Sequence, residues 1–345
     1  MNAYQRVVAA LTGREPDRVP VLLLMPTQGA GELGLPLPTY LGDPEAMAEG
    51  QLRLQARYGH DCLYAFSYGA AEAEAFGASV EYHPTGSPVV SEPPFGIQEV
   101  GRITPPDPHR CPALVRTLRL IELLAAEDKG RLPILANVVA PPSLPVMLLG
   151  MEAWLELLLL GDAGRRDQVL EVCRAFTLAW GRAQVQAGAD ALGYFDPLAS
   201  PEITTPAQFA RFHLQTMRLV AEQVGAPLLL CTAGARNLQL LPAARETGMA
   251  GILASAAESL ADYKQQADGK LAVAGNLNNI GMAAWTPAQA SQEVRSCLAA
   301  GAPGGGYLLC DQHGEIPTET PAAVLEAIMQ TAQQYGRYPL HQEGR

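Results

Sequence analysis

The stretch Gly304-Gly-Gly-Tyr-Leu-Leu-Cys-Asp-Gln-His-Gly-Glu-Ile-Pro317 opens on a glycine cluster, runs through the apolar Tyr307-Leu308-Leu309, and breaks into Cys310, Asp311, His313 and Glu315. The short apolar run bounded by glycines reads as a buried strand. Gly314 and Pro317 make the segment after that strand a loop rather than a helix. A strand whose C-terminal end opens into clustered ionisable side chains is how an α/β barrel builds its active-site mouth. These four side chains can bind metal or move protons. On this stretch alone, a polar turn facing water stays open as the other reading.

Working outward, apolar runs recur at residues 21–25, 62–66, 132–138, 191–195, 227–231, 251–254 and 271–275. The run at 21–25 is apolar throughout, as in strands buried on both faces. Helical patterns separate the runs, at about 3–12, 44–58, 112–127, 146–160, 166–187, 206–224, 237–247, 257–267, 286–300 and 320–335. Thr205-Pro206 supplies an N-cap with proline in the first turn. Eight short strands alternating with amphipathic helices predict a single (β/α)8 TIM-type barrel over residues 1–345. Residues 78–92 alternate around Pro84-Thr-Gly-Ser-Pro88 and predict a β-hairpin excursion that serves as a lid or rim. Residues 338–345 read as a frayed tail.

Composition narrows the partners. A formal charge of −11, a pI near 5.1 and 48% hydrophobic residues fit a soluble protein with a sizeable core. No basic run with interleaved aromatics is present, which argues against nucleic acid, and an acidic surface argues against anionic membranes. The six cysteines are scattered without a Cys-x-x-Cys pair, so reduced thiols in a cytoplasmic protein are expected rather than a disulfide framework. The apolar run near the N-terminus is too short for a signal-peptide core, and no segment is long enough to span a membrane.

In a barrel, the residues that come after each strand converge on one mouth. Here they are Gln28, Tyr68 with Glu72, Asn137, Tyr194 with Asp196, Cys231, Asn276 and the 310–315 cluster. Gln28, Tyr68, Glu72, Tyr194, Asp196 and Asn276 are therefore candidates for orienting a substrate. Asn276 and Asp196 taken singly also suit turn formation.

The segment Ala189-Asp-Ala-Leu-Gly-Tyr-Phe-Asp-Pro-Leu-Ala-Ser200, continued by Pro201-Glu-Ile-Thr-Thr-Pro206, resembles a signature of the uroporphyrinogen decarboxylase superfamily. It is most similar to the branch that holds cobalamin-dependent methyltransferases. Gly13-Arg-Glu-Pro-Asp-Arg-Val-Pro20, Met147-Leu-Leu-Gly-Met-Glu-Ala153 and the 304–317 stretch agree, so the resemblance runs from about residue 4 to 337. It implies a distorted (β/α)8 barrel. The decarboxylases carry Arg-Gln-Ala-Gly-Arg after the first strand, whereas this chain reads Leu24-Met-Pro-Thr-Gln-Gly-Ala30 there, with no arginine. Porphyrinogen carboxylates need cationic partners, so porphyrinogen decarboxylation is not expected.

The methyltransferase branch implies a zinc site made by His-x-Cys after the fifth strand and a cysteine after the eighth. This chain reads Cys231-Thr-Ala-Gly234 at the first, and His313 occupies the second. Two explanations compete. Either a metal is held by Cys231 and His313 with Cys310, Asp311 or Glu315, as zinc or, in an oxygen-rich set, iron or manganese. Or no metal binds, and His313 works with Glu315 or Asp311 as a general acid/base pair. The resemblance implies methyl transfer between a corrinoid carrier and a small molecule, with a separate corrinoid protein docking over the mouth, since the Asp-x-His-x-x-Gly corrinoid motif is absent. Barrels of this family often pair, so a homodimer is allowed. The alternatives are unrelated small-molecule chemistry on the same barrel, metal-dependent or acid/base, and a non-catalytic binding barrel.

Overall fold

The computed structural model describes residues 1–340. Among them, seven parallel strands form one curled sheet: β1 (Leu63–Tyr64), β4 (Ile134–Val139), β5 (Ala191–Phe195), β6 (Leu228–Cys231), β7 (Gly251–Leu253), β8 (Ala272–Leu277) and β9 (Tyr307–Asp311), in that order. The remaining strands, β2 (Ser79–Glu81) and β3 (Val89–Glu92), pair antiparallel as a hairpin outside that sheet. The barrel class is as the alternating pattern predicted. No described helix is long and apolar enough to cross a membrane.

The eighth staff of the barrel is not a regular strand. Residues 21–25, predicted as a strand, make only one parallel bridge, Val21 to Leu309. Leu22 N–H donates to the Leu309 carbonyl and Leu309 N–H to the Pro20 carbonyl, both at 2.9 Å. On the opposite edge Asp61 N–H reaches the Val21 carbonyl at 2.8 Å, while the Val21 N–H is taken by the Asp61 carboxylate at 2.8 Å. A side chain thus stands where a backbone ladder would continue. That carboxylate also receives Arg6 at 2.7 Å and both terminal nitrogens of Arg18, at 2.6 and 2.9 Å. All three charged groups are largely withdrawn from water.

Strand parity splits the apolar residues into two clusters. Leu22, Leu24, Tyr64, Ala191, Leu229, Cys231, Leu253, Ala274, Leu308 and Cys310 fill the barrel interior. Leu192, Tyr194, Leu228, Leu230, Ile252, Val273 and Leu309 pack outward among the helices. The glycine cluster ahead of β9 has a specific use: Gly304, Gly305 and Gly306 all take positive φ, and a Cβ on Gly305 would lie 2.7 Å from the Arg14 carbonyl carbon.

The helices obey their sequence signals. Asp43 caps Pro44–Tyr58 by accepting from Glu45 and Ala46 N–H, and Gly59 ends that helix at φ 70°. Two expectations are corrected. The helix expected over 146–160 is two helices, Pro145–Leu149 and Met151–Leu160, broken at Gly150 with φ 84°. The helix expected to run on from Pro206 contains a π-helical segment, Phe209–Leu214. The tail expectation also changes: Tyr338 is pinned through its hydroxyl to the Ala302 carbonyl at 2.6 Å and through its N–H to the Asp17 carbonyl at 3.1 Å. Residues 341–345 lie outside the described residues.

Removing the Asp61 carboxylate would leave the Arg18 guanidinium without its carboxylate partner, Arg6 with Asp17 alone, and the Val21 N–H without its acceptor. Asp61→Ala is expected to cost about 3–5 kcal/mol, read as a lowered Tm. Unchanged thermal stability would remove Asp61 from the closure of the barrel.

Candidate active site

The interior residues and the loops at the strand ends enclose a cavity of about 580 Å³. Its walls are mostly apolar: Leu22, Leu24, Leu135, Leu229 and Leu253 from the barrel, Met147 and Trp180 from helices, and Ser87 to Val90 from the hairpin. The hairpin is therefore part of the cavity wall. The ionisable side chains that line the cavity are Tyr64, Tyr68, Glu72, Cys231, Cys310, His313 and Glu315, with no arginine or lysine among them.

The loop after β9 is built around Asp311. Its Oδ1 accepts from the N–H groups of His313, Gly314 and Glu315 at 2.8, 2.6 and 3.3 Å. Burial still pushes the Asp311 carboxyl up to about 6, because these three hydrogen bonds only partly offset desolvation. Asp311 is thus turned into the loop, does not line the cavity, and positions the two residues that do. The loop is fastened further by Tyr64 Oη donating to the Gly314 carbonyl at 2.8 Å, with Asn137 Nδ2 donating to that same hydroxyl. Asn279 Nδ2 reaches the Glu315 carbonyl at 2.8 Å.

His313 lies edge-on to Phe195, with ring centroids 6.0 Å apart. Burial holds its imidazole below the ordinary histidine value, partly countered by the charge of Glu315. Burial raises the Glu315 carboxyl in turn, while a hydrogen bond from Ser87 Oγ and the nearness of His313 pull it back. A neutral imidazole beside a partly shielded carboxylate is a proton-handling pair.

Cys231, His313 and Cys310, the expected ligand set, all line the cavity but are not gathered around one point. Both thiols line the cavity, but Cys231 Sγ donates to the His313 carbonyl at 3.0 Å and Cys310 Sγ to the Asp311 carbonyl at 3.1 Å. Burial pushes the Cys231 thiol up to about 12 and Cys310 well above its ordinary value. Among the described residues no three His, Cys, Asp or Glu side chains converge as a metal site. His313 and Glu315 both line the cavity, each within reach of the other's charge.

The remaining candidates divide. Tyr68 and Glu72 line the cavity. The Tyr68 hydroxyl donates to Glu74 at 2.5 Å and accepts from Tyr82 and Arg116 at 3.0 and 3.1 Å. Glu72 accepts from Val139 N–H at 2.8 Å, and burial, dominating over that bond and the Trp180 side chain, lifts its carboxyl to about 8. Gln28, Tyr194, Asp196 and Asn276 are not in the cavity wall. Gln28 is a latch whose Nε2 donates to the Ile316 and Pro317 carbonyls at 2.7 and 3.0 Å. Tyr194 has outward strand parity and packs between sheet and helices. Asp196 is fully buried between Ser143 Oγ at 2.5 Å and His213 Nδ1 at 2.8 Å. Asn276 donates to the Ser255 carbonyl at 2.9 Å and borders a separate, smaller cleft with Glu258, Trp285 and Glu293. Sequence reasoning missed Tyr64, Ser87, Trp180 and Asn279. Tyr64 was accessible through parity, since it alternates with Cys62 inside a strand that faces the interior.

A family model described as "Uroporphyrinogen decarboxylase (URO-D)" matches residues 2–335, and the chain belongs to that enzyme family. Relatives include a uroporphyrinogen decarboxylase of Mycolicibacterium vanbaalenii, 26% identical over 93% of this chain and 95% of the relative. Another is the methylcobamide:CoM methyltransferase MtaA of Methanosarcina barkeri, 24% identical over 80% of each chain. A solved methyltransferase from Methanosarcina mazei superposes with a TM-score of 0.87 over 97% of this chain and 99% of its own, at 20% identity, which shows the shared barrel.

The raised Glu72 carboxyl makes a stability prediction. Between the ordinary value of 4.5 and about 8, the folded chain keeps a proton that the unfolded chain has lost, so stability falls as pH rises through that window. Glu72→Gln removes this contribution. The variant's Tm is expected to decline less than that of the wild type between pH 5 and 8, a difference on the order of a few kcal/mol in stability. Parallel declines would mean that Glu72 titrates normally.

Proposed function

We propose that this chain is an enzyme that moves a methyl group between a corrinoid, carried to the mouth by a partner protein in the cytoplasm, and a small, uncharged, largely apolar substrate held in the barrel cavity. The observation that carries this reading is the cavity itself: apolar walls, no arginine or lysine, and a His313–Glu315 pair among its few ionisable groups. A porphyrinogen would bring several carboxylates into a space with no cation to receive them. The relatives include both MtaA and decarboxylases, so the choice of methyl transfer rests on the cavity.

A corrinoid docked at the mouth would supply the methyl group and take up the electron pair that its departure leaves. The residues of this chain handle the substrate. The apolar walls exclude water and hold the acceptor heteroatom beneath the mouth. His313, neutral near pH 7, takes the proton from the substrate O–H or S–H, which leaves an electron pair free to form the bond to the methyl carbon. Glu315 stabilises the resulting imidazolium, and Asp311 fixes both residues by holding their backbone N–H groups. The engagement of both cavity thiols by backbone carbonyls favours a second reading, in which the same pair performs acid/base chemistry on a small molecule without a corrinoid.

Methylcobalamin demethylation with a panel of uncharged thiols and phenols, monitored by absorbance, tests this reading. His313→Gln is expected to lower turnover by about 100-fold or more. The acid limb of the pH profile is expected below the ordinary histidine value. Glu315→Gln removes the charge that supports the imidazolium, so it moves that limb to still lower pH. Zinc is expected to be far below stoichiometric in protein purified without chelator. Stoichiometric zinc lost in both Cys231→Ala and His313→Ala would sink the metal-free proton step, and full activity in His313→Gln would do the same.

A further inference from the structure

Asn137 sits on β4 in the parity of Leu135, with its side chain toward the barrel interior, and it lines the cavity. A chain of hydrogen bonds fixes which end of its amide is left for a ligand. The Gly314 carbonyl can only accept, so the Tyr64 hydroxyl, 2.8 Å away, spends its one hydrogen there. The lone pairs left on Tyr64 Oη then call for a donor, and Asn137 Nδ2 supplies it. The amide oxygen is thereby turned away from Tyr64. It lies over Gly193, the register partner of Asn137 on β5, where a Cβ would overlap it. Gly193 also lines the cavity, so the missing side chain leaves room at that oxygen. Oδ1 accepts no hydrogen bond among the described residues and, unlike the sealed partnerless atoms elsewhere in the chain, keeps accessible surface. An amide oxygen open to an apolar chamber is an acceptor whose hydrogen bond a ligand can complete.

We infer that Asn137 is a substrate-binding residue whose Oδ1 receives a neutral N–H or O–H of the substrate, a group distinct from the O–H or S–H that gives its proton to His313. This rests on the reading of the cavity as the substrate site, and it narrows that substrate to a largely apolar molecule with two hydrogen-bond donors. The surroundings of the amide oxygen suit a neutral donor. Leu135 precedes Asn137 on the same face of β4, Phe195 follows Gly193 on β5, and Leu229 is the register partner of Gly193 on β6. An amide oxygen among such walls satisfies one N–H or O–H, but it repays little of the cost of desolvating a full charge. The acceptor is also tied to the chemistry. The Tyr64 hydroxyl joins Asn137 to Gly314, which stands between His313 and Glu315, so all three side chains belong to one hydrogen-bonded frame. A substrate whose two donors match that frame is held with its reacting group at His313.

The test is calorimetric binding to the full chain of three probes of matched shape: diphenylamine, whose N–H donates, diphenyl ether, whose oxygen only accepts, and diphenylmethane, which does neither. In neutral buffer diphenylamine is expected to bind about tenfold more tightly than the other two, the worth of one buried hydrogen bond. Asn137→Leu abolishes that preference, and His313→Ala keeps it, which assigns the acceptor to the amide and not to the imidazole. Because Asn137→Leu also removes a support of the loop, Tyr64→Phe provides a second measurement. With no hydroxyl to orient it, the amide can turn either end inward, so the lead of diphenylamine over diphenyl ether shrinks while both still bind. Equal binding of the three probes to the wild type, tighter binding of the ether, or a preference that survives Asn137→Leu overturns the inference and leaves methyl transfer to the methylcobalamin assay. Failure of all three probes to bind overturns the inference together with the cavity's role. A preference intact in protein that turns over no methylcobalamin upholds the inference and sinks only the methyl-transfer reading.

Discussion

A buried carboxylate closes this barrel. Asp61 accepts the N–H of Val21 and the guanidiniums of Arg6 and Arg18, so the segment 21–25 is held against the sheet by one side chain in place of a full ladder. Two prolines flank the segment, and Pro20 has no N–H to offer. The strand is therefore deficient in backbone pairing, and the charge cluster substitutes for it. Buried ion pairs are often a poor route to stability, because desolvation offsets much of the attraction. This one fixes where the 21–25 segment sits, and with it the positions of Leu22 and Leu24 on the cavity wall.

The same device recurs at the other end of the barrel. Asp311 gathers three consecutive backbone N–H groups onto one oxygen and so sets the curvature of the loop that presents His313 and Glu315. Tyr64, Asn137, Asn279 and Gln28 then fasten that loop to neighbouring strands and to the segment after residue 25. The loop is thus held from several sides by hydrogen bonds. The thiols that face it are drawn to backbone oxygens and kept neutral. What reaches the substrate is a small number of proton-bearing groups set in hydrocarbon.

Much of this was legible in the chain. The apolar runs and their spacing announced the barrel, and the 310–315 cluster announced the loop, because both signals are local. The errors came from geometry that a linear reading passes over. Tyr194 shares a strand with Phe195, but adjacent residues on a strand face opposite sides, so one packs outward and the other lines the cavity. Asp196 and Asn276 were grouped with the mouth because they end strands, yet each is turned to partners outside the cavity. Cys231 and Cys310 did reach the interior, and what no sequence pattern conveys is that their S–H groups point to carbonyls. Tyr338 reads as part of a loose end in the linear chain, yet its hydroxyl is held on the Ala302 carbonyl.

Ser87 sits at the tip of the β2–β3 ribbon and gives its hydrogen bond to Glu315. That bond favours the ionised carboxylate. Ribbon position and proton affinity are therefore two faces of one equilibrium: lifting the ribbon makes Glu315 a weaker acid, and protonating Glu315 weakens the hold on the ribbon. A single hydroxyl thus couples where the ribbon lies to how readily Glu315 gives up its proton.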